Sequence, residues 1–294
     1  MSKELIIITI PAYNEENTLP RVIDEIKKVM EENNFNYKIL VVNDGSRDKT
    51  VEVAKEKGAV VFSHSRNLGL AETFKTEMKK CLELNADIIV HTDADGQYPS
   101  HYIPHLIKKI QEGYDLVLGS RFGQGQYSGS LMKKLGNIAF AKVFSSLLKT
   151  RLRDTTTGFR AFRKEVAELP VINNFTYTQE QLIRAGKSKM RITEIPITTN
   201  QTRESRLFKN SFDYALKAWI NILRIYRDFE PLKFFGSIGL IFILFGFLIG
   251  LRLIYLFITT GSVGHIPSQI LTMLLIVVGV QIILFGFFAD SVRK

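Results

Sequence analysis

The sequence has few of the features that stabilise secreted proteins or bind nucleic acids. Its 294 residues contain one cysteine, Cys81, which excludes an intrachain disulfide and is typical of a reducing compartment. The formal net charge is +10, yet no run of five lysines or arginines and no nucleic-acid motif occurs. We therefore expect no nucleic-acid partner. An excess of positive charge also favours contact with anionic lipid headgroups.

The amino terminus lacks the features of a secretory signal peptide. The first apolar run, Leu5–Ile10, is too short for the hydrophobic region of a signal peptide, and no cleavage site follows it. We therefore expect the polar part of the chain to stay in the cytosol.

The first 120 residues alternate short apolar runs with helical patterns. The runs are rich in Ile, Val and Leu, as in parallel strands that are buried on both faces. The predicted strands are Leu5–Ile10, Tyr37–Val42, Ala59–Ser63, Asp87–Thr92 and Asp115–Ser120. The predicted helices are Thr18–Glu32, Thr50–Lys57, Gly69–Leu84 and Ile103–Glu112. This order predicts an α/β fold with a doubly wound, mostly parallel sheet.

Polar clusters follow four of these strands. They are Pro11–Glu15, Asn43–Ser46, Asp93–Gln97 and Ser120–Arg121. Ligands of such folds bind beyond the carboxyl ends of the strands. The four clusters therefore predict one site at one edge of the sheet.

Asp93 and Asp95 are the central pair of this predicted site. Two carboxylates two residues apart, on a loop that leaves a buried strand, can bind one hard divalent cation together with substrate phosphates. The carbonyl oxygen of Gln97 stands in the same alternating phase. The sequence thus predicts Mg²⁺ or Mn²⁺ at Asp93, Asp95 and Gln97, where it would neutralise a diphosphate leaving group.

Five motifs resemble, in order and spacing, those of family 2 glycosyltransferases with a GT-A fold. They are Pro11-x-Tyr13-Asn14-Glu15, Asn43-Asp44-Gly45-Ser46, Asp93-Ala94-Asp95, Gly119-Ser120-Arg121 and Thr157-Gly158-Phe159-Arg160. Within that family the chain is similar to the dolichyl- or polyprenyl-phosphate hexosyltransferases. The resemblance implies inverting transfer of a hexose from a nucleotide-sugar to a lipid phosphate. Its glucosyl branch is the more similar.

The resemblance also implies roles for individual residues. Those expected to bind the nucleotide-sugar are Pro11, Tyr13, Glu15, Asp44 and Asp93. Asp95 and Arg121 are the expected catalytic residues, and Arg121 would face the lipid phosphate. The residues expected around the acceptor and diphosphate are Arg121, Lys133, Arg203 and Arg206. Lys133 stands where the family often has arginine, and the segment 203–206 is a shortened version of the family's pattern.

The last third of the chain is almost wholly apolar and predicts a membrane anchor. Two stretches, about 234–258 and 268–289, approach the ~20 residues that cross a bilayer. Their helices would approach closely at Gly246 and Gly250. Basic residues precede and follow the pair, so the positive-inside rule predicts a two-span protein with its catalytic domain and both termini in the cytoplasm.

Three regions follow from these patterns. Residues 1–207 are the expected catalytic domain, 208–230 an amphipathic helix in the membrane interface, and 231–294 the transmembrane hairpin. The glycine-rich spans suggest a homo-oligomer, with a tetramer as the form that the resemblance implies.

The favoured function is transfer of glucose from UDP-glucose to dolichyl or polyprenyl phosphate at the cytoplasmic face of the membrane. GDP-mannose remains an alternative donor. A polysaccharide synthase would need more spans, and a nucleotidyltransferase would leave the hairpin unexplained. A non-catalytic membrane adaptor is the remaining alternative. The sugar, the lipid chain length, the oligomeric state and the pathway are not determined by the sequence.

Overall fold

The computed structural model describes residues 4–122, 145, 152–171, 177–200, 220, 223, 224, 226–262 and 266–292. Lys133, Arg203 and Arg206, which the sequence analysis placed at the acceptor, lie outside these residues, as does most of the predicted interfacial helix. The chain divides into two compact units, Met1–Ala215 and Leu216–Lys294.

The first unit is an α/β domain. Its described strands are β1 (Leu5–Ala12), β2 (Asn36–Asn43), β3 (Val60–Ser63), β4 (Ile88–His91), β5 (Leu116–Ser120), β6 (Arg160–Arg163) and β7 (Ile192–Pro196). Its described helices are α1 (Leu19–Glu32), α2 (Thr50–Glu56), α3 (Leu70–Glu83), α4 (Ile103–Gln111), α5 (Lys164–Ala167) and α6 (Tyr177–Lys187).

The seven strands form one mixed sheet in the order β3-β2-β1-β4-β6-β5-β7. β1 pairs in parallel with β2 and β4, β2 with β3, and β5 with β7. β6 alone runs antiparallel to its neighbours β4 and β5. The amino end of β6 therefore lies at the same edge of the sheet as the carboxyl ends of the other six strands.

Both faces of the central strands are buried, which explains their continuous apolar runs. Residues 6–12 of β1 and all of β4 are buried. The apolar side of α1 repeats at three- and four-residue steps and packs into the core through Leu19, Val22, Ile23, Ile26 and Met30. The sheet is thus a rigid platform for the loops at its edge.

The five predicted strands and four predicted helices are all present, with bounds that differ by one or two residues. β6 and β7 were not anticipated. β6 has the sequence RAFR and β7 the sequence ITEIP. Both are too short and too polar for a strand pattern to stand out.

The second unit contains two long apolar helices, α7 (Pro231–Thr260) and α8 (Ile266–Val292). Both are long and apolar enough to cross a membrane, and only 11% of the most apolar window of each is buried. Glycines bring them together. An added Cβ on Gly239 would lie 2.5 Å from the Gly279 carbonyl oxygen, and one on Gly246 would lie 2.9 Å from Ile276 Cγ1. The predicted close approach at Gly246 is confirmed, while the tighter contact between Gly239 and Gly279 was not foreseen.

Candidate active site

The candidate site lies where the carboxyl ends of the parallel strands meet the amino end of β6. The four polar clusters of the sequence analysis follow β1, β2, β4 and β5 at this edge. The segment 154–159 enters β6 there, and 197–200 leaves β7 there. Two of the contributing loops, before β6 and after β7, could not be assigned from sequence because their strands were not predicted.

The loops after β1 and β2 are joined by hydrogen bonds. Asn14 donates its backbone N–H to Ser46 Oγ at 2.9 Å, and its own side-chain oxygen accepts the Arg47 N–H at 2.9 Å. Asn14 adopts a left-handed conformation with φ of 55°, which asparagine tolerates better than most residues. Tyr13 beside it is 38% exposed and presents its ring at the surface.

Glu15 faces inward, unlike Tyr13. It is buried, its Oε2 accepts the Thr18 hydroxyl at 2.6 Å, and its backbone N–H is donated to Thr50 Oγ1 at 2.9 Å. These contacts fix the start of α1 against α2. Glu15 therefore shapes the loop that presents Tyr13.

Asp44 holds the loop between β3 and α3. Its two carboxylate oxygens accept the backbone N–H groups of Leu68 and Gly69, each at 2.8 Å. His64 Nδ1 lies 2.8 Å from Asp44 Oδ1, and His64 Nε2 lies 2.9 Å from Thr76 Oγ1. Asp44 thus determines where segment 64–69 lies beside the predicted nucleoside site.

The Asp93–Gln97 loop is tight and is held by the segment that follows the edge strand β7. Gln97 donates its backbone N–H to Asp95 Oδ1 at 2.9 Å, and Gly96 between them has φ of 72°. After β7, Asn200 donates to the carbonyl oxygens of Gln97 and Gly96 at 2.9 and 3.0 Å. The two acidic residues are therefore carried on a fixed turn.

Asp93 lies in a crowded and partly desolvated position. Burial raises the pKa of Asp93 to about 6, and the charge of Asp95 adds to this, while His91 and Arg121 act in the opposite direction. A Cβ on Gly158 would lie 3.4 and 3.6 Å from the two Asp93 carboxylate oxygens. Gly158 therefore packs directly beside that carboxylate.

Arg121 forms a two-pronged ion pair with Asp154. Its Nε and Nη2 donate to the carboxylate at 2.7 and 3.0 Å, and Nη2 also donates to Thr156 Oγ1 at 2.7 Å. Burial by itself raises the pKa of Asp154, but the guanidinium charge and its hydrogen bonds outweigh burial and hold that pKa below its usual range. Glu194 of β7 accepts the backbone N–H groups of Arg153 and Asp154 and so supports the pair.

Beneath Asp93 lies a second polar pair that is completely buried. Glu77 Oε2 of α3 lies 3.3 Å from His91 Nε2 of β4, and both side chains are 0% exposed. Neither atom has a hydrogen-bond partner within the described part of the chain, so the contact is an ion pair without hydrogen-bond alignment. Burial lowers the pKa of His91, but the Glu77 carboxylate outweighs it and the net pKa is raised.

Arg160 at the start of β6 is also fully buried. It donates to the Thr178 carbonyl oxygen at 2.9 Å, to Gln181 Oε1 at 3.2 Å and to the Thr157 carbonyl oxygen. Burial lowers the pKa of Arg160 to about 10, so the side chain remains a cation near neutral pH. It adds positive charge below the acidic loop.

The donor set fits a divalent cation that shares its ligands with a substrate. Among the residues that the structure describes, no cluster of three His, Cys, Asp or Glu side chains could hold a metal alone. Asp93 and Asp95 supply two oxygen-bearing side chains on one turn. Mg²⁺ commonly takes one or two carboxylates and completes its shell with phosphate oxygens and water.

Comparison with known sequences places this geometry in a family. The family profile described as "Glycosyl transferase family 2" matches residues 7–169, which is more than half of the chain. The chain belongs to glycosyl transferase family 2. The matched segment contains the described loops at the strand ends from Pro11 to Arg160, so this glycosyltransferase carries its candidate site inside the family domain.

Several curated relatives cover most of the chain. A dolichyl-phosphate hexose transferase of Haloferax volcanii is 32% identical over 192 residues, covering 65% of this chain and 80% of the relative. A UDP-N-acetylglucosamine–dolichyl-phosphate N-acetylglucosaminyltransferase of Methanococcus voltae is 32% identical over 250 residues, covering 76% and 97%. A dolichol-phosphate mannosyltransferase of Pyrococcus furiosus is 30% identical over 282 residues, covering 90% and 74%.

Solved structures confirm the GT-A fold of this glycosyltransferase. Glucosyl-3-phosphoglycerate synthase of Mycobacterium tuberculosis, in complex with Mn²⁺, UDP and phosphoglyceric acid, superposes with a TM-score of 0.59 at 21% identity. The similarity covers 76% of this chain and 78% of that one. At this identity the comparison speaks for the fold alone.

The structure brings several predicted residues together. Asp93, Asp95 and Arg121 are close enough for their charges to interact, and Gln97 shares the turn of Asp95. The sequence analysis did not identify His91, Glu77 or Asp154. Asp154 stands close to the Thr157–Arg160 motif in sequence, which was the available signal. For Glu77 no signal existed, because a glutamate in an amphipathic helix ordinarily faces solvent.

Proposed function

We propose that this glycosyltransferase transfers glucose from UDP-glucose to dolichyl or polyprenyl phosphate. The transfer inverts the configuration of the anomeric carbon. The observation that supports a lipid acceptor is the length of the alignment with the P. furiosus mannosyltransferase. Residues before Pro231 are about 78% of the chain, whereas that alignment covers 90% of it. The similarity therefore extends into the apolar helices, which a soluble acceptor would not require.

The proposed reaction needs no strong general base. An oxygen of the lipid phosphate is already anionic near neutral pH and attacks the anomeric carbon. The bond from that carbon to the diphosphate oxygen breaks, and its electron pair leaves with the nucleoside diphosphate. Catalysis then depends on alignment of the two phosphates and on stabilisation of the departing charge.

The proposal assigns a role to each candidate site residue that the structure describes. Tyr13 contacts the nucleoside from the exposed loop after β1, beside the segment that Asp44 orders. Arg121 faces the acceptor phosphate, and its pairing with Asp154 holds the guanidinium plane in one orientation. Pro11 and Glu15 shape the donor loop. The roles of Lys133, Arg203 and Arg206 rest on the resemblance alone.

Asp93 and Asp95, with Gln97, would hold Mg²⁺ or Mn²⁺. The ion would supply positive charge to the diphosphate as the sugar leaves. A bound cation would also offset the desolvation that raises the pKa of Asp93. The Asp93 carboxylate would then be fully ionised at the pH of the cytosol.

The membrane topology is part of the proposal. Basic residues flank the hairpin at Arg224, Arg227 and Lys233 on one side and at 293–294 on the other. By the positive-inside rule both termini and the catalytic domain are cytoplasmic. Reporter fusions at both termini would test this, and an outside location of either end would contradict it.

The decisive assay uses the full chain in detergent with dolichyl phosphate and labelled UDP-glucose, UDP-N-acetylglucosamine or GDP-mannose in parallel. Transfer of label to the organic phase, removed by EDTA and restored by Mn²⁺, is the expected result. Asp95→Asn should abolish transfer while the protein stays folded, because one ionic oxygen ligand is lost. Normal turnover in that variant would refute the metal role of Asp95.

GDP-mannose is the second candidate donor, since the P. furiosus relative with 90% coverage of this chain is named a mannosyltransferase. The loop sequence Asn43-Asp44-Gly45-Ser46 favours uridine, because mannosyl relatives more often carry a run of acidic residues there. Label from GDP-mannose alone would establish the second candidate. Label from no donor, in folded protein, would contradict both.

A further inference from the structure

A chain of buried polar groups runs beneath the acidic loop and ends at the glycine that adjoins Asp93. Thr9 of β1 donates its hydroxyl to Glu77 Oε1 at 2.8 Å. Glu77 Oε2 lies 3.3 Å from His91 Nε2, and His91 Nδ1 lies 2.8 Å from the Gly158 carbonyl oxygen. Since a carbonyl oxygen only accepts, His91 donates this last hydrogen bond.

The chain joins parts of the fold that are distant in sequence. It links β1, α3 and β4 to the loop that enters the antiparallel strand β6. The Phe74 ring meets the imidazole edge-on with centroids 5.3 Å apart, which restricts rotation of the His91 ring. The imidazole is therefore held by a hydrogen bond at Nδ1 and by the Phe74 ring on one face, while Nε2 makes the ion-pair contact with Glu77.

Gly158 is the point at which this chain reaches the site. A Cβ on Gly158 would lie 3.4 Å from Asp93 Oδ1 and 3.7 Å from His91 Cε1. Gly158 thus adjoins both the imidazole and the Asp93 carboxylate. Its position decides how much room that carboxylate has.

Burial of a carboxylate and an imidazole is costly. A pair of apolar side chains of similar volume is often as stable as a buried ion pair, or more so. Simple packing of α3 against β4 would therefore not require Glu77 and His91. The hydrogen bond from His91 to Gly158 provides what apolar side chains cannot, namely a fixed distance between β4 and the loop before β6, and the bond from Thr9 holds Glu77 beside His91.

We propose that Glu77 and His91 are positioning residues, which hold the Gly158 backbone against Asp93 and so set the geometry of the donor-diphosphate end of the site. This inference rests on the proposed function for its catalytic consequence. Its structural part, the anchoring of the loop by His91, is independent of which sugar is transferred.

Two matched double variants distinguish anchoring of the Gly158 loop by His91 from simple occupation of core volume by the two side chains. In Glu77→Gln/His91→Asn the asparagine amide replaces Nδ1 and can still donate to Gly158. In Glu77→Gln/His91→Gln the longer amide reaches toward the position of Nε2 and leaves the Gly158 carbonyl without its donor. Both variants are neutral at these positions and keep two buried amides, so they differ mainly in the bond to Gly158.

Hydrogen exchange of a peptide that spans residues 155–163 gives the first measurement. We expect wild-type-like protection in the asparagine variant and faster exchange in the glutamine variant. In the transfer assay the glutamine variant should lose on the order of 10²-fold in kcat, the effect of a misplacement of about 1 Å, with KM for the donor changed far less. The asparagine variant should retain kcat within about tenfold.

Equal exchange and equal kcat in the two variants, both folded, would overturn the proposal. Single variants of His91 are the second test if either double variant fails to fold. His91→Asn keeps a donor for the Gly158 carbonyl oxygen and His91→Gln removes it, while Glu77 stays unchanged. Equal exchange and equal kcat in these two variants would also overturn the proposal. A wild-type protein without transfer activity would refute the proposed function, whereas the exchange contrast would still decide the anchoring.

Discussion

Substitution of Gly45 tests how closely the loop after β2 packs against segment 64–69. The φ of Gly45 is 72°, in the left-handed region, where a residue with a Cβ loses roughly 1–2 kcal/mol. A Cβ there would also lie 2.5 Å from the carbonyl carbon of Arg66 and 2.7 Å from the backbone nitrogen of Asn67. Because both atoms belong to the backbone, segment 64–69 would have to move.

Gly58 is a matched control for Gly45. It has the same φ of 72°, but among the residues that the structure describes a Cβ there would meet only the flexible end of Lys27, at 3.4 Å. Gly58→Ala should therefore cost only the conformational part, about 1–2 kcal/mol. Gly45→Ala should cost that amount and about 1–3 kcal/mol for the forced shift, or about 2–5 kcal/mol together.

Cys81 makes the difference measurable in the full-length protein. It is the single cysteine of the chain and is buried in α3, the helix that follows segment 64–69. Labelling by a thiol reagent at a fixed denaturant concentration then reports the unfolded fraction. At about 1.4 kcal/mol per tenfold, labelling should accelerate about 5- to 30-fold in Gly58→Ala and about 30-fold or more in Gly45→Ala.

The two rates decide the interpretation. Equal acceleration in both alanine variants would show that segment 64–69 accommodates the methyl group without cost, and the argument from its close packing would be refuted. A further expectation concerns binding: because Asp44 holds the displaced segment, KM for the nucleotide-sugar should rise in Gly45→Ala and not in Gly58→Ala.

Three further substitutions test other parts of the structure. Asp154→Asn should lower the free energy of unfolding at pH 7 by about 1–3 kcal/mol, because a neutral amide replaces the charged hydrogen-bond partner of the partly exposed Arg121. Since the pKa of Asp154 is held below its usual range, the wild type should lose this advantage as the pH falls through that depressed value, so thermal melts of the two proteins should converge in acid. Gly279→Ala should destabilise the hairpin by about 1–3 kcal/mol in detergent titrations followed by circular dichroism. Gly236→Ala should not, because a Cβ there meets no other element of the described part of the chain within 4 Å. Asp93→Asn should raise Tm in EDTA at pH 8, where the wild type bears the cost of ionising a carboxylate whose pKa is about 6, a cost of up to about 3 kcal/mol. Below pH 4 that gain should vanish, and Mn²⁺ should stabilise the wild type only.

The elements that were predicted correctly are those whose own residues carry the sequence pattern. β1 and β2 are continuous apolar runs, and the helices between the strands have clear amphipathic periods, so each element can be recognised from its own residues. β6 and β7 lack this property. β6 becomes a strand because β4 and β5 offer free edges on both of its sides, a condition that depends on chain segments up to 75 residues away.

The candidate site shows the same division. Asp93, Asp95 and Arg121 could be found because each follows a strand that the sequence reveals, and the topology of the sheet then places them at one edge. Asp154 could not be found in this way. It acts through Arg121, 33 residues earlier, and the pairing exists only once β6 has inserted between β4 and β5.

The buried polar groups are the hardest part of the site to predict from the sequence. Glu77, His91 and Arg160 sit within regular elements, where a sequence pattern predicts a solvent-facing or a packing role. A buried charge is stable only when a partner at a fixed distance compensates it, and that distance is a property of the whole fold. Groups of this kind are costly to bury and depend on long-range contacts. In the proposed function the exposed residues of this site bind ligands, and the buried ones hold the exposed residues in place.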